Sequence, residues 1–359
     1  MRYCIIHFGM HKTGSTSIQQ TLANSLGSST FQYITLDNSH PRFSNHSHDL
    51  SIAFESNPFK TKAARIMGLS HDEVLARRKI IRNKIIQNFN KASVDSFIFS
   101  AEDLCHWKEK DLLSFKKFLE DQNCRFLCVG YVRSPKSFME SVFQEQLKAG
   151  ILNKADLPLK TITIYPHYQW RFEKFGKVFG WDNVRFWLFN SENFHNGCVV
   201  QDFCSRLKIP LYKNNIIRRN QSLSKEAISL LYAYCLYGNN YDLSKLTMKE
   251  KHKIAYKLYN LRGDKFYFSS SLIKPILSHH QKDIIWMEEK LGFSLKEDLV
   301  IHDNTAIKGE KELLKFSPKA TYWLAEQLGI KYVKSWHDSM DIEQVANWMH
   351  LLRVKLLNH

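Results

Sequence analysis

The sequence lacks the patterns that identify several broad classes of protein. Its seven cysteines form no CxxC pair and mostly lie inside apolar runs, where a free cysteine behaves as a small hydrophobic residue. No apolar run approaches the length of a membrane span, and residues 1–8 contain neither the basic cluster nor the long apolar segment of a secretion signal. We therefore expect a soluble, cytoplasmic protein in a reducing compartment, without a membrane span.

Acidic residues are scarce relative to basic ones. The 359 residues include 51 Lys and Arg against 35 Asp and Glu, for a formal net charge of +16. Such a field favours polyanionic ligands: phosphorylated cofactors, acidic glycans or nucleic acid. No recognition motif for DNA or RNA is present, so we expect no nucleic-acid partner, although a basic nucleic-acid-binding protein is kept as an alternative function.

Metal-binding spacings are also absent. His40, His46 and His48 are close in sequence, but no cysteine or acidic residue is suitably spaced to complete a site with them. Solvated or hydrogen-bonded histidines explain the group better. We expect no metal.

The stretch IIHFGMHKTGSTSIQQ, residues 5–20, has the pattern of a phosphate-binding loop. A buried strand around residues 3–8 is followed by Gly9 and Gly14, which permit a tight turn, and by hydroxyl residues that can cap a helix. The amides and the positive dipole end of that helix would face an anion. The hydroxyl residues are Ser15, Thr16 and Ser17.

The loop departs from the nucleotide-binding pattern GxxxxGK[ST]. Ser15 stands where that pattern has its lysine, and Lys12 precedes the second glycine. ATP with magnesium is therefore not the expected ligand. A P-loop kinase with an atypical loop remains an alternative.

Two further strands are predicted to bring polar residues to the same edge of a sheet. SFIFS, residues 96–100, leads directly to Glu102, and the apolar run ending at Val132 leads to Arg133. Ligands of open α/β sheets lie at the carboxyl ends of strands. A helix beginning at Pro135 would carry Ser141 two turns along, on the side of Arg133.

These motifs resemble those of sulfotransferases that use 3'-phosphoadenosine 5'-phosphosulfate (PAPS). The segment KTGST, residues 12–16, is similar to the 5'-phosphosulfate loop of that family, and RSPKSFMES, residues 133–141, is similar to its 3'-phosphate motif RxPxxxxxS. The nearest branch is the bacterial carbohydrate type. The resemblance covers about the first 220 residues in organisation, and the chain lacks a clean copy of the late Arg-Lys-Gly cofactor loop of the cytosolic enzymes.

The resemblance implies an α/β fold: a three-layer P-loop-type arrangement with a central, mostly parallel sheet flanked by helices. It also implies a PAPS-binding core at residues 1–220 and a helical extension at 221–359. The implied activity is sulfuryl transfer from PAPS, with PAP as product, to a hydroxyl of a carbohydrate or surface glycan. No oligomeric state follows from it.

The resemblance assigns roles to individual residues. Lys12, with Thr13, Gly14, Ser15, Thr16 and Ser17, would bind the 5'-phosphosulfate. Arg133 and Ser141 would hold the 3'-phosphate. Glu102 would be the general base, with His11 and His106 as alternatives that the sequence does not separate.

The acceptor side of the predicted site is assigned to less regular segments. Residues 30–62 are rich in polar and aromatic residues and are expected to form a long loop with short pieces of regular structure. Aromatic residues there and in 165–187 are expected to offer platforms for sugars. Arg218 and Arg219 are expected to form a solvated basic turn, with a contribution to the cofactor or acceptor site as the alternative.

Overall fold

The structure is a computed structural model that describes residues 1–25, 30–36, 44–150, 157–211, 216–217, 222–237, 241, 247–331 and 340–358. Within these ranges the chain forms two compact units, each built from separate segments. The first unit comprises Met1–Ser134, His167–Asn220 and Lys282–Leu295. The second comprises Pro135–Pro166, Gln221–Gln281 and Lys296–His359.

The first unit contains a five-stranded parallel sheet. Its strands are β1 (Arg2–His7), β2 (Phe31–Tyr33), β3 (Ser96–Ser100), β4 (Cys124–Val132) and β5 (Val184–Leu188). The spatial order is β2-β3-β1-β4-β5, and every neighbouring pair runs parallel. Because β1 is central and flanked on both sides, it is an almost continuously apolar strand, as parallel strands usually are. The α/β class and the mainly parallel sheet are confirmed.

Helices cover the sheet. Those of the first unit are α1 (Ser15–Ser25), α2 (Ser47–Phe54), α3 (Lys62–Met67), α4 (His71–Lys91), α5 (Glu109–Asp121), α8 (Tyr168–Phe179), α9 (Val199–Arg206) and α13 (Gln281–Leu291, its first residue assigned to the second unit). The remaining described helices belong to the second unit.

The two faces of the sheet are packed differently. Ile5, Ile98 and Val129 pack with α1 and α9 in one apolar cluster. The opposite face is aromatic: Phe8, just after β1, stacks on Phe175 of α8 with ring centroids 4.2 Å apart. Successive side chains of a strand alternate between faces, so the apolar run that contains Ile5 and Phe8 packs against the helices on both sides of the sheet.

The segment 30–62, expected to be a long loop, is largely structured. It contains β2 and α2, and α3 begins at its end. Leu50, Ile52 and Phe54 of α2 are fully buried. The expected short pieces are therefore present, and α2 is longer than the sequence suggested because polar residues lie between its apolar positions. Residues 37–43, including His40, and residues 218–221, including Arg218 and Arg219, lie outside the described part of the chain.

The second unit is helical where it is described. Its helices are α6 (Pro135–Lys148), α7 (Leu157–Thr163), α10 (Lys225–Leu236), α11 (Met248–Leu258), α12 (Ser270–His279), α14 (Glu310–Leu313), α15 (Pro318–Leu328) and α16 (Ile342–Leu357). Buried carboxylates hold loops to α6: Glu140 accepts a hydrogen bond from the Phe268 amide at 2.9 Å. Ser224 caps α10: its side chain accepts a hydrogen bond from the Ala227 amide at 3.2 Å.

Candidate functional site

The order of the strands points to one edge of the sheet. β1 and β4 are neighbours, but the chain leaves β1 toward β2 on one side and leaves β4 toward β5 on the other. Ligands of open α/β sheets bind at such a switch point, outside the carboxyl ends of the strands. The loop after β1, the turn after β3 and the residue after β4 all lie at this edge.

The loop after β1 has an unusual backbone. Gly9, Lys12 and Gly14 all have positive φ angles, of 72°, 65° and 76°. Lysine rarely adopts this left-handed conformation, so the fold imposes it at Lys12. The Gly14 carbonyl then accepts hydrogen bonds from the amides of Ser17 and Ile18, at 3.0 and 3.1 Å, and α1 begins.

The hydroxyl residues of the loop have different surroundings. Thr13 is fully buried and donates to the Met10 carbonyl inside the loop. Ser17 is buried, and Thr16 is exposed. Ser15 is 2% exposed, and its Oγ donates to Glu102 Oε2 at 3.0 Å. The Thr13 hydroxyl therefore stabilises the loop, and the Ser15 hydroxyl positions Glu102.

Glu102 begins a 3₁₀ turn, Glu102–His106, directly after β3. A Cβ added to Gly9 would lie 2.9 Å from Glu102 Cβ, so only glycine allows the loop to pass this close. Asn45 Nδ2 donates to the second carboxylate oxygen at 3.4 Å. The structure thus brings Glu102 to the phosphate-type loop, as its position directly after a predicted strand indicated.

Arg133 follows β4 and reaches the same loop. Its Nη1 donates to the Lys12 carbonyl oxygen at 3.0 Å, and its guanidinium lies over the Phe189 ring, 5.5 Å from the centroid. The Tyr168 hydroxyl donates to the Arg133 carbonyl at 2.7 Å. Arg133 is therefore anchored at both its side chain and its backbone.

Ser141 lies in α6, in the second unit, and is half-buried. Its predicted partnership with Arg133 stays a prediction. At the start of α6, Glu297 accepts hydrogen bonds from the amides of Lys136 and Ser137, at 2.8 and 3.1 Å. These amides of α6 thus already bind a carboxylate, so any anion binding by the motif would depend on its side chains.

His11 is paired with a carboxylate that the sequence analysis did not single out. Its Nε2 lies 2.9 Å from Asp103 Oδ1. Burial lowers the pKa of His11, but hydrogen bonds with Asp103 and Cys105 outweigh it and raise the pKa to about 10. Burial raises the pKa of Asp103, but the bond with His11 outweighs it, so that pKa lies below its ordinary value.

Cys105, expected to be a small hydrophobic residue, lies among polar groups. It is fully buried, and its Sγ donates to the Glu102 carbonyl at 3.0 Å. The Sγ also lies 3.9 Å from His11 Nδ1, 3.8 Å from His106 Nδ1 and 3.7 Å from Arg171 Nη1. No sequence spacing signals this cluster, because its members come from three separate elements.

His46, just before α2, supports the end of β3. The sequence did not indicate this support. His46 is buried: its Nδ1 accepts from the Ser100 amide at 3.0 Å, and its Nε2 donates to the Ile34 carbonyl at 2.8 Å. Burial lowers the pKa of His46 to about 4. The interpretation of His46 as a hydrogen-bonded histidine is confirmed, and the neutral ring links β2 to β3.

Comparison with known proteins gave no match among family models, curated proteins or solved structures. Within the described ranges, no helix has both the length and the apolar character needed to cross a membrane. The function is therefore argued from the site.

Proposed function

We propose that the protein is a PAPS-dependent sulfotransferase with a P-loop-type core. The observation that carries the proposal is the convergence of three residues singled out from sequence at the ends of three different strands. Arg133 bonds to the backbone of Lys12, and Glu102 bonds to Ser15 of the same loop. Gly9 also passes so close to Glu102 that a side chain at position 9 would collide with it, which an ordinary glycine turn before a helix does not require.

The residues present fit a phosphosulfate donor. The first turn of α1 supplies amides beside the cationic Lys12, and Arg133 adds a second fixed cation at the same loop. When bound, PAPS would supply the sulfuryl group. Lys12 and the loop amides would stabilise the negative charge that develops on the departing phosphate oxygen.

Glu102 is the best placed group to accept the proton of the acceptor hydroxyl. Its carboxylate is half-buried and oriented by Ser15 and Asn45. As the acceptor oxygen forms its bond to sulfur, its proton would pass to Glu102 and the sulfur–phosphate oxygen bond would break. His11 is less suitable because its Nε2 is already bonded to Asp103.

A carbohydrate acceptor is supported by one feature near this edge. Trp170 of α8 is 61% exposed, and its ring centroid lies 6.0 Å from that of His106. Lys174 Nζ lies 4.8 Å from the same ring. A flat indole flanked by cations suits a sugar that carries anionic groups.

Ligand-dependent thermal stability separates this proposal from its alternatives. The purified chain would be heated with PAP, with ATP plus magnesium, and with duplex DNA. A ligand at 100 times its Kd stabilises the native state by about 2.7 kcal/mol. We expect PAP alone to raise Tm in the absence of magnesium. A rise only with magnesium ATP would favour the kinase, and a salt-sensitive rise only with DNA would favour nucleic-acid binding.

A further inference from the structure

The cluster around Cys105 offers a set of donor atoms that the sulfotransferase proposal does not use. His11, Cys105 and His106 each direct one nitrogen or sulfur atom to a common region, and these atoms all lie within 4.8 Å of one another. Thiolate and imidazole are the ligands that zinc prefers in proteins. We propose that these three residues form a zinc-binding site with an open fourth position.

The distances within the cluster are close to those of a tetrahedral site. Bonds of about 2.3 Å to sulfur and about 2.0 Å to nitrogen at tetrahedral angles place sulfur about 3.5 Å from each nitrogen. Cys105 Sγ lies 3.9 Å from His11 Nδ1 and 3.8 Å from His106 Nδ1. Both distances need to shorten only slightly. The donor atoms all lie within 4.8 Å of one another, and the two histidine nitrogens must also come to about 3.3 Å apart.

Asp103 has the position of an outer partner of a metal ligand. Its Oδ1 lies 2.9 Å from His11 Nε2, which leaves Nδ1 as the atom that faces Cys105. Histidine ligands commonly donate their other N–H to a carboxylate, which fixes the ring and strengthens the ligand. The Asp103 backbone amide is itself bonded to Ser47 Oγ at 3.2 Å, so this carboxylate is held in place.

Arg171 lies beside two of the proposed zinc ligands, so its positive charge would oppose the binding of a metal cation. Its guanidinium hydrogen-bonds to His106 Nε2 and lies 3.7 Å from Cys105 Sγ. Arginine has no acceptor, so in this arrangement the His106 proton is on Nδ1. Zinc would displace the Nδ1 protons of His106 and His11 and the thiol proton into solvent, and Arg171 would have to move away. The structure therefore predicts that removal of the Arg171 charge strengthens metal binding.

The position of the cluster indicates what bound zinc would do. His11 directly precedes Lys12, and Cys105 and His106 belong to the turn that begins with Glu102. One ion would tie the loop after β1 to the turn after β3. This inference does not depend on sulfuryl transfer, because it rests on the geometry of the three donor residues. Zinc would change the binding of any ligand that the loop holds.

The test is metal titration of the full-length chain after chelator treatment. Zinc affinity would be measured by competition with a chromophoric chelator, and cobalt would report sulfur ligation through its thiolate charge-transfer band. We expect one equivalent of zinc. Cys105→Ser should abolish the band, His106→Gln should weaken zinc binding at least tenfold, and Asp103→Asn should weaken it about 10- to 100-fold. Arg171→Met should strengthen it.

Controls separate this site from the six other thiols of the chain. Cys235→Ser removes a thiol that is bonded to the Leu147 carbonyl in the second unit and should leave zinc binding and the cobalt band unchanged. Circular dichroism would establish that each variant is folded, and His106→Gln tests a partly exposed residue if Cys105→Ser fails to fold. Absence of zinc binding, or equal binding in the wild type and folded His106→Gln, would overturn the proposal.

Discussion

The loop after β1 and the turn after β3 meet at one edge of the sheet, yet they are specified in different ways. The loop has contacts within residues 9–18, such as the bonds to the Gly14 carbonyl, as well as long-range bonds to Asp103 and Arg133. The turn is held by residues far away in sequence, including Ser15, 87 positions before Glu102. Local contacts leave a pattern in the sequence, whereas distant contacts appear only when the chain is folded.

The two regions also differ in chemistry. The loop supplies backbone amides and one lysine, groups that in the proposed function would bind an anion without proton transfer. The turn supplies Glu102, Asp103, Cys105 and His106, all of which exchange protons or bind metals. The substitutions that follow alter Glu102 in the turn, the support of the turn by His46, and the contact between the turn and Gly9 of the loop.

The largest effect is expected from Glu102→Gln. The amide keeps the shape of the side chain but accepts no proton, so sulfuryl transfer should fall by about 10²- to 10⁴-fold, the usual contribution of a general base. PAP affinity should change by less than a factor of about 3, well under 1 kcal/mol. Single-turnover transfer and calorimetry would measure the two quantities. Unchanged transfer would remove Glu102 from the reaction.

The next effect concerns the support of the turn by His46. Burial lowers the pKa of His46 to about 4, so the ring stays neutral in the folded chain, whereas the unfolded residue takes up a proton near the ordinary histidine pKa of 6.5. Its contribution to stability is therefore complete above pH 6.5 and is lost as pH falls toward 4, by about 3 kcal/mol in total. Urea denaturation between pH 7 and pH 4 would measure this loss.

His46→Gln is the matched variant for that measurement. Glutamine offers a donor and an acceptor but does not titrate in this range. The free energy of unfolding of the variant should fall less steeply with acid than that of the wild type. His7, whose burial lowers its pKa to about 3, remains in both proteins and cancels in the comparison. Equal slopes would show that His46 does not carry the predicted linkage.

The smallest effect compares two glycines of positive φ. Gly9 has φ 72° and would place a Cβ 2.9 Å from Glu102, whereas Gly68 has φ 62° and open space around it. Alanine at either position carries the left-handed penalty of about 1–2 kcal/mol. Gly9→Ala should cost about 1–2 kcal/mol more than Gly68→Ala, because one of two packed elements must shift. Equal costs by urea denaturation would argue against close packing of the loop and the turn.

The sequence was sufficient for most elements of the sheet and for the loop. Continuous apolar runs predicted β1, β3 and β4, and the predicted strand 96–100 matches β3 in both bounds. Strand order was not accessible, because pairing of β1 with β3 joins residues over 90 positions apart. For the same reason the sequence identified Glu102 by its place after a strand but not its bonds to Ser15 and Asn45.

The polar cluster around Cys105 could not be predicted for a different physical reason. An isolated cysteine beside apolar residues has the pattern of a core residue, and only three converging elements give it polar neighbours. In α2, polar side chains similarly masked a buried helix. In both cases tertiary contacts decided the environment, which a local pattern does not contain.

The most direct test of the central claim is calorimetric titration with PAP in the absence of magnesium. We predict magnesium-independent binding to the wild-type chain that Lys12→Ala and Arg133→Ala each weaken by about 10- to 100-fold, the effect of a lost charge-assisted hydrogen bond. Arg185→Ala, which removes an exposed arginine near the start of β5, should bind PAP normally. No PAP binding by the folded wild-type chain, or binding that Arg133→Ala leaves intact, would contradict the account.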